Sequence, residues 1–166
     1  MREFKTTYWG ADQSTAVRFE VVATSPPQEL ISAAFVFALN QNQEVIIAKS
    51  QRGWGLPGGH REGDETAEAC VRREALEEAA VALRSLKLIG QWVAKKKFDS
   101  PLNQKYPPLA YQLLYIADID AMLPFTPDFE TTERTLIPLA QLADYHNNHQ
   151  DLDDIFEYVI DEHCRI

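Results

Sequence analysis

The sequence predicts an α+β fold in layers, with helices covering a mixed β-sheet. Three observations carry this reading. Residues 32–40, "SAAFVFALN", form a nearly continuous apolar run of strand length, the pattern of a strand buried on both faces. Residues 65–83, "ETAEACVRREALEEAAVAL", are rich in Ala, Leu, Glu and Arg, which lose little on becoming helical. The order along the chain is strands, helix, strands, helix.

The elements follow in turn. Residues 14–23, "STAVRFEVVA", carry β-branched residues in partial alternation and read as a strand. Pro26 and Pro27 end it, because proline cannot continue a ladder. After the apolar run, the polar "QNQ" makes a turn, and residues 44–50, "EVIIAKS", give the second strand of a hairpin. Residues 51–59, "QRGWGLPGG", read as a glycine-rich loop. The helix over 65–83 takes Asp64 as its N-cap, and acidic residues in its first turn suit the helix dipole. Residues 86–98 and 109–119 are two more strands, separated by an irregular loop with three prolines, "DSPLNQKYPP". Residues 120–133 read as another loop, and 134–145 as a short strand and turn entering a short helix. Residues 151–164 close the chain as an amphipathic helix, with Leu152, Ile155, Phe156, Val159 and Ile160 on one stripe. No repeat, low-complexity tract or linker interrupts this order, so residues 1–166 read as one domain.

Bulk composition narrows the function classes. The formal net charge is −9, and the one compact basic run is Lys95, Lys96 and Lys97. That argues against a nucleic-acid polymer as partner. An acidic protein that handles phosphates needs local cations, from a metal or from Lys and Arg. The two cysteines, Cys70 and Cys164, give no disulfide framework and no zinc spacing. They read as reduced thiols of a cytoplasmic protein. The N-terminal stretch lacks the apolar core of a signal peptide, and no apolar run approaches the ~20 residues of a membrane span.

The long helix raises the chemical question. At about 100° per residue, Glu74, Glu77 and Glu78 fall on one side, while Ala69, Ala75, Leu76 and Ala79 lie opposite and are expected to pack on the sheet. Like charges at this spacing cost only ~0.2–0.5 kcal/mol, so repulsion alone does not separate a solvated face from a cation platform. Three oxygen ligands suit a hard cation such as Mg²⁺ or Mn²⁺. Gly58 and Gly59 allow positive φ and close approach, and a glycine-rich turn ahead of a helix offers backbone N–H groups to phosphate. There is neither a P-loop nor a dinucleotide fingerprint.

These residues resemble the Nudix box, G-x5-E-x7-R-E-U-x-E-E-x-G-U with U aliphatic. Here Gly59, Glu65, Arg73, Glu74, Glu77, Glu78 and Val81 take its positions, over residues 59–81. The preceding "WGLPGG" resembles the usual lead-in. Two positions depart from the pattern. Ala75 replaces a larger aliphatic residue, which loosens packing. Ala80 replaces the late glycine, which allows the helix to run to about Leu83.

The resemblance implies a Nudix (MutT-type) α/β/α sandwich with a mixed sheet between helices. It implies a hydrolase acting on phosphoric anhydride bonds with Mg²⁺ or Mn²⁺. The substrate would be a nucleotide-type small molecule, a nucleoside diphosphate derivative or triphosphate, cut to a nucleoside monophosphate. Glu74, Glu77 and Glu78 would hold the metal, Arg73 would lock a carboxylate of the helix, and Glu65 would support the loop or merely serve the helix dipole. The general base stays open between a helix glutamate, Glu130 and Glu133. Substrate contacts are expected from Gly58, Gly59 and Arg52, with Trp54, Trp92, Phe98 and Tyr106 as weaker candidates. A homodimer is a family expectation. The rival readings are a Nudix-like binding or regulatory domain without turnover, an isomerase on the same fold, and an acidic protein with no site.

Overall fold

Strand β3 (Ile31–Leu39) is the axis of the molecule. The computed structural model describes residues 2–164. In it β3 lies parallel to β8 (Leu109–Met122) and antiparallel to β4 (Glu44–Ser50) and β6 (Gly58–His60). The sheet extends from β8 through β7 (Val81–Lys96) and β2 (Thr15–Glu20) to the edge strand β1 (Thr6–Trp9). On the other side, β4 pairs with β5 (Gly53–Gly55) and β9 (Glu133–Pro138). One parallel pair among antiparallel ones makes this nine-stranded sheet mixed.

Alternation along β3 divides the core. Ala34, Val36 and Ala38 pack with Ala67, Cys70, Val71, Ala75 and Ala79 of helix α1 (Ala67–Ala79). Phe37 and Leu39 pack on the other face with Leu142 of α2 (Leu142–Tyr145) and with Ile155, Phe156 and Val159 of α3 (His149–His163). Seven of the nine β3 residues are buried, as expected of a strand covered on both faces. The result is the expected layering of helix, mixed sheet and helices. No helix among the described residues is long and apolar enough to cross a membrane.

Several boundaries differ from the sequence reading. Helix α1 starts at Ala67, where Thr66 Oγ1 accepts from the Ala69 N–H at 3.1 Å, so Thr66 rather than Asp64 is the N-cap. Its core face is Ala67, Cys70, Val71, Ala75 and Ala79, whereas Ala69 and Leu76 are exposed. The glycine-rich stretch is not wholly loop, since it contributes β5 and β6. The edge strand β1 was not expected, because "TTYW" is mostly exposed and shows no apolar alternation. Strand β8 runs on to Met122 into residues read as loop.

Ala80 gives the largest correction. The helix does not continue to Leu83. Ala80 stands in the left-handed region, φ 52 and ψ 46, and β7 begins at Val81. The glycine's turn is therefore kept without the glycine. Arg134 satisfies the helix end, donating from Nη1 to the carbonyls of Ala79 and Ala80 at 2.7 and 3.1 Å. Its Nη2 donates to the Leu123 carbonyl at 2.7 Å, and the guanidinium lies 5.4 Å from the Phe125 ring. A left-handed L-residue costs ~1–2 kcal/mol, and glycine's extra freedom in the unfolded chain offsets about 0.4–1 kcal/mol of any gain. Ala80→Gly is therefore expected to stabilise the protein by up to ~1 kcal/mol, read as a higher urea midpoint at unchanged m-value. A lower midpoint would mean that Ala80 is not strained.

Candidate active site

The site forms where α1 crosses the β6 end of the sheet. Two glycines permit that crossing by close approach more than by positive φ. A Cβ at Gly58 would strike the Ala34 carbonyl and Phe35, and one at Gly59 would stand 2.6 Å from Glu74 Oε1. The Gly58 N–H is not free for phosphate, since it donates to Glu78 Oε1 at 3.0 Å. Gly59 is held in the ladder opposite Ala34.

Arg73 organises the carboxylates. Its Nε and Nη2 donate to the two oxygens of Glu65 at 3.2 and 2.8 Å, a bidentate pair suited to the planar fork. Nη1 donates to Glu74 Oε1 and to Glu77 Oε2, each at 3.1 Å. Nη2 also reaches the His60 carbonyl at 3.0 Å. Glu65 lies outside the helix and additionally accepts from the Glu62 N–H at 2.8 Å, so it anchors the loop; Glu68 is the acid of the first turn. The Arg73 guanidinium holds the Glu65 carboxyl down at about 2, and the same contacts push Arg73 up, with Glu65 first.

Glu78 has the opposite environment. Burial is the chief cause that pushes it up to about 8. The Gly58 N–H opposes the shift, and Glu74 and Glu130 reinforce it. Glu74 and Glu78 therefore form a close acidic pair with Glu130 within electrostatic reach. Glu77, half exposed, turns to Arg73. No three His, Cys, Asp or Glu side chains among the described residues already converge as a metal-ligand set. The donor chemistry nevertheless fits a hard cation, because the part-buried Glu78 carboxylate is crowded by other carboxylates and pairs with no side-chain cation among the described residues.

The two loop glutamates separate. Glu133 opens β9 opposite Lys49 and pairs with Lys49 Nζ at 3.5 Å. Glu130 sits in a turn fixed by Asp128, whose Oδ1 accepts the N–H groups of Glu130 and Thr131, both at 2.8 Å.

A cavity of about 310 Å³ opens beside Glu78. Gly58, Arg52, Phe35, Trp92, Gln112 and His146 are among its lining residues. Of the residues singled out from sequence, Arg52, Gly58, Trp92 and Glu78 thus meet here; Trp54 packs on Tyr145 instead, and Phe98 is exposed. His60 is exposed, as the sequence suggested. His146, Asn147 and Gln112 escaped the sequence reading. Gln112 had a signal, as the polar break in the apolar strand "LAYQLLYIADI". His146 had none, because one parallel bridge to Trp54 brings it in. Burial pushes His146 down to about 4, so the ring is neutral. Its Nδ1 accepts the Asn148 N–H at 3.0 Å, which leaves Nε2 as a hydrogen-bond donor.

The NUDIX domain model matches residues 29–159, and the chain belongs to the NUDIX family. A MutT-like protein of Streptomyces ambofaciens is 39% identical over 69 residues, 41% of this chain and 45% of that protein. The chain thus spans less than half the length of that relative. The Bacillus subtilis pyrophosphohydrolase BsRppH superposes with a TM-score of 0.61 at 24% identity, over 83% of this chain and 78% of that one. One MutT structure, described with the Aliivibrio salmonicida and Vibrio cholerae proteins, gives 0.57 at 20% identity, over 81% of this chain and 98% of that one. At these identities both show likeness of fold.

The Arg73–Glu65 pair sets a pH dependence. Glu65 is held at about 2 against an ordinary 4.5. Its stabilisation is therefore complete above the ordinary value and fades as the pH falls through the folded one. Glu65→Gln is expected to lower the urea midpoint at pH 7, with the gap to wild type narrowing steadily towards pH ~2. A gap that stays constant across that range would falsify the assigned role of the ion pair.

Proposed function

We propose that the protein is a divalent-metal-dependent pyrophosphohydrolase, with residues 1–166 as one catalytic domain. It hydrolyses the diphosphate linkage of a nucleoside diphosphate derivative or a nucleoside triphosphate to a nucleoside monophosphate and a phosphorylated leaving group or pyrophosphate. The observation that carries the reading is the Glu74–Glu78 pair set against Gly58 and Gly59, with Glu74 held by Arg73 and Glu78 lining a cavity. Family membership supports the class of reaction. The location proposed is the cytoplasm and the assembly a homodimer, which size-exclusion chromatography with light scattering tests.

Bound Mg²⁺ or Mn²⁺ supplies charge neutralisation on the diphosphate and a more acidic water. Glu74 and Glu78 would hold it, with Glu77 recruited from its place on Arg73. Arg52 meets substrate phosphate at the cavity wall. A water oxygen bonds to one phosphorus, and the bridging P–O bond breaks with its electron pair passing to the leaving phosphate. Glu130 is the carboxylate better placed to take the water's proton, because it lies within electrostatic reach of Glu78 while Glu133 is engaged by Lys49. Phosphoryl transfer of this kind needs chiefly positioning and electrostatics.

Purified protein is expected to release a nucleoside monophosphate with Mg²⁺ or Mn²⁺ and to stop with chelator. The assay panel is dinucleoside polyphosphates, nucleotide sugars, ADP-ribose and nucleoside triphosphates. Glu78→Gln should lower kcat at least ~100-fold, corresponding to the loss of several kcal/mol of metal-borne stabilisation. An unchanged rate would sink the metal assignment. Glu130→Gln should lower kcat by ~100-fold or more, the usual scale for a general base, whereas Glu133→Gln should stay within about twofold. The reverse ranking would move the base to Glu133.

A further inference from the structure

The cavity beside Glu78 has a neighbour of about 460 Å³. Trp9, Arg52 and Gln112 line both, so the two adjoin at those side chains as one groove. The second cavity has a built wall. The loop that follows β7 is tied down by its own polar groups. Ser100 Oγ donates to Asp12, the Ser100 N–H donates to Asn103 Oδ1 at 3.1 Å, and Asn103 Nδ2 donates to the Phe98 carbonyl at 3.0 Å. Ser100 and Asn103 are only 4% and 2% exposed. The loop buries Ser100 and Asn103 and leaves Leu102 and Tyr106 at 53% and 51% exposure in the cavity lining, together with Trp9 at 42%. Apolar and aromatic side chains left open around a concavity mark a ligand site.

Charge orders the groove. In a chain of net charge −9, Arg52 has no carboxylate partner among the described residues and stands where the cavities join. Among the described residues no other Lys or Arg lines the second cavity, and Lys105 stands beside its aromatic wall, with Nζ 5.2 Å from the Tyr106 ring centroid. An anionic linker is therefore matched at the junction, and a further phosphate deep in the second cavity is not.

We propose that the second cavity seats an uncharged ring-bearing group of the substrate, stacked on Tyr106. The preferred substrate is then two-ended, a nucleoside joined through a diphosphate to a second flat moiety, rather than a nucleoside triphosphate. This rests on the hydrolase reading above. Water adds across the anhydride, the bridging oxygen leaves with one phosphate, and the products are two phosphomonoesters and no pyrophosphate, with two protons released when both new phosphate hydroxyls ionise.

The test uses the full chain with Mg²⁺. Symmetric dinucleoside diphosphates and nucleoside triphosphates are compared on each of the four common bases. With the best base, KM for the two-ended compound should lie at least ~10-fold below that for the triphosphate, the scale of one base stacked on an aromatic side chain. Tyr106→Ala, at an exposed loop position, should raise that KM ~10-fold with kcat unchanged, move the triphosphate less than about twofold, and be rescued by Tyr106→Phe. Equal KM values overturn the proposal, as does a Tyr106→Ala effect shared by both substrates or absent from both. If nothing is turned over, the hydrolase reading fails and calorimetry with chelator decides the cavity separately. Weaker binding of the two-ended compound by Tyr106→Ala than by wild type retains the second seat, and equal binding removes it.

Discussion

One guanidinium keeps the acidic helix in working order. Arg73 takes Glu65 from the preceding loop and Glu74 and Glu77 from its own helix, and also the carbonyl of His60. Arg73, Glu65 and Glu74 are mostly shielded, with side-chain exposures of 21%, 18% and 15%. Shielded charges are costly to leave unpaired, so each fixes the others. Glu78 stays outside this arrangement, held by a backbone N–H instead. The result is two adjacent carboxylates with different partners, Glu74 with Arg73 and Glu78, among the described residues, with a backbone amide.

The sheet makes that difference possible. Strand β6 lies on β3, and β3 packs against α1 through Ala34, Val36 and Ala38. Small residues on both surfaces bring the helix close enough for Glu74 to rest on Gly59, and a methyl group there would push the carboxylate away. Packing density thus sets the position of a charged group, a link between core and chemistry that no pairwise count of carboxylates reveals.

The sequence made the central strands, the helix carrying the acids and the stripe on the last helix legible, because each buries a periodic apolar face. Its spacing of Glu65, Arg73, Glu74, Glu77 and Glu78 also pointed to the site. What it could not show depends on contacts distant along the chain. Ala80 looked like a helical residue by propensity; the turn is fixed by the β7–β8 pairing that begins at Val81 and by Arg134 of β9. Glu65 looked like a first-turn acid because its true partner lies eight positions on. Strand β1 hides because an exposed edge needs no alternation, and His146 because a single bridge places it. Glu130 and Glu133 were indistinguishable in sequence, and only the partner of each tells them apart.

Arg134 ties three backbone carbonyls, two at the end of α1 and one at Leu123, while its own strand pairs with β4. The end of the acidic helix and the segment leading to Glu130 are thereby joined at one side chain. In terms of native-state amide exchange, these pieces cannot open independently, because fraying the helix end breaks bonds that also hold the loop. They belong to one cooperative unit. Hydrogen exchange should therefore report the last turn of α1 and the start of β9 opening together, so that any loosening of the loop that carries Glu130 also reaches the helix that carries Glu78.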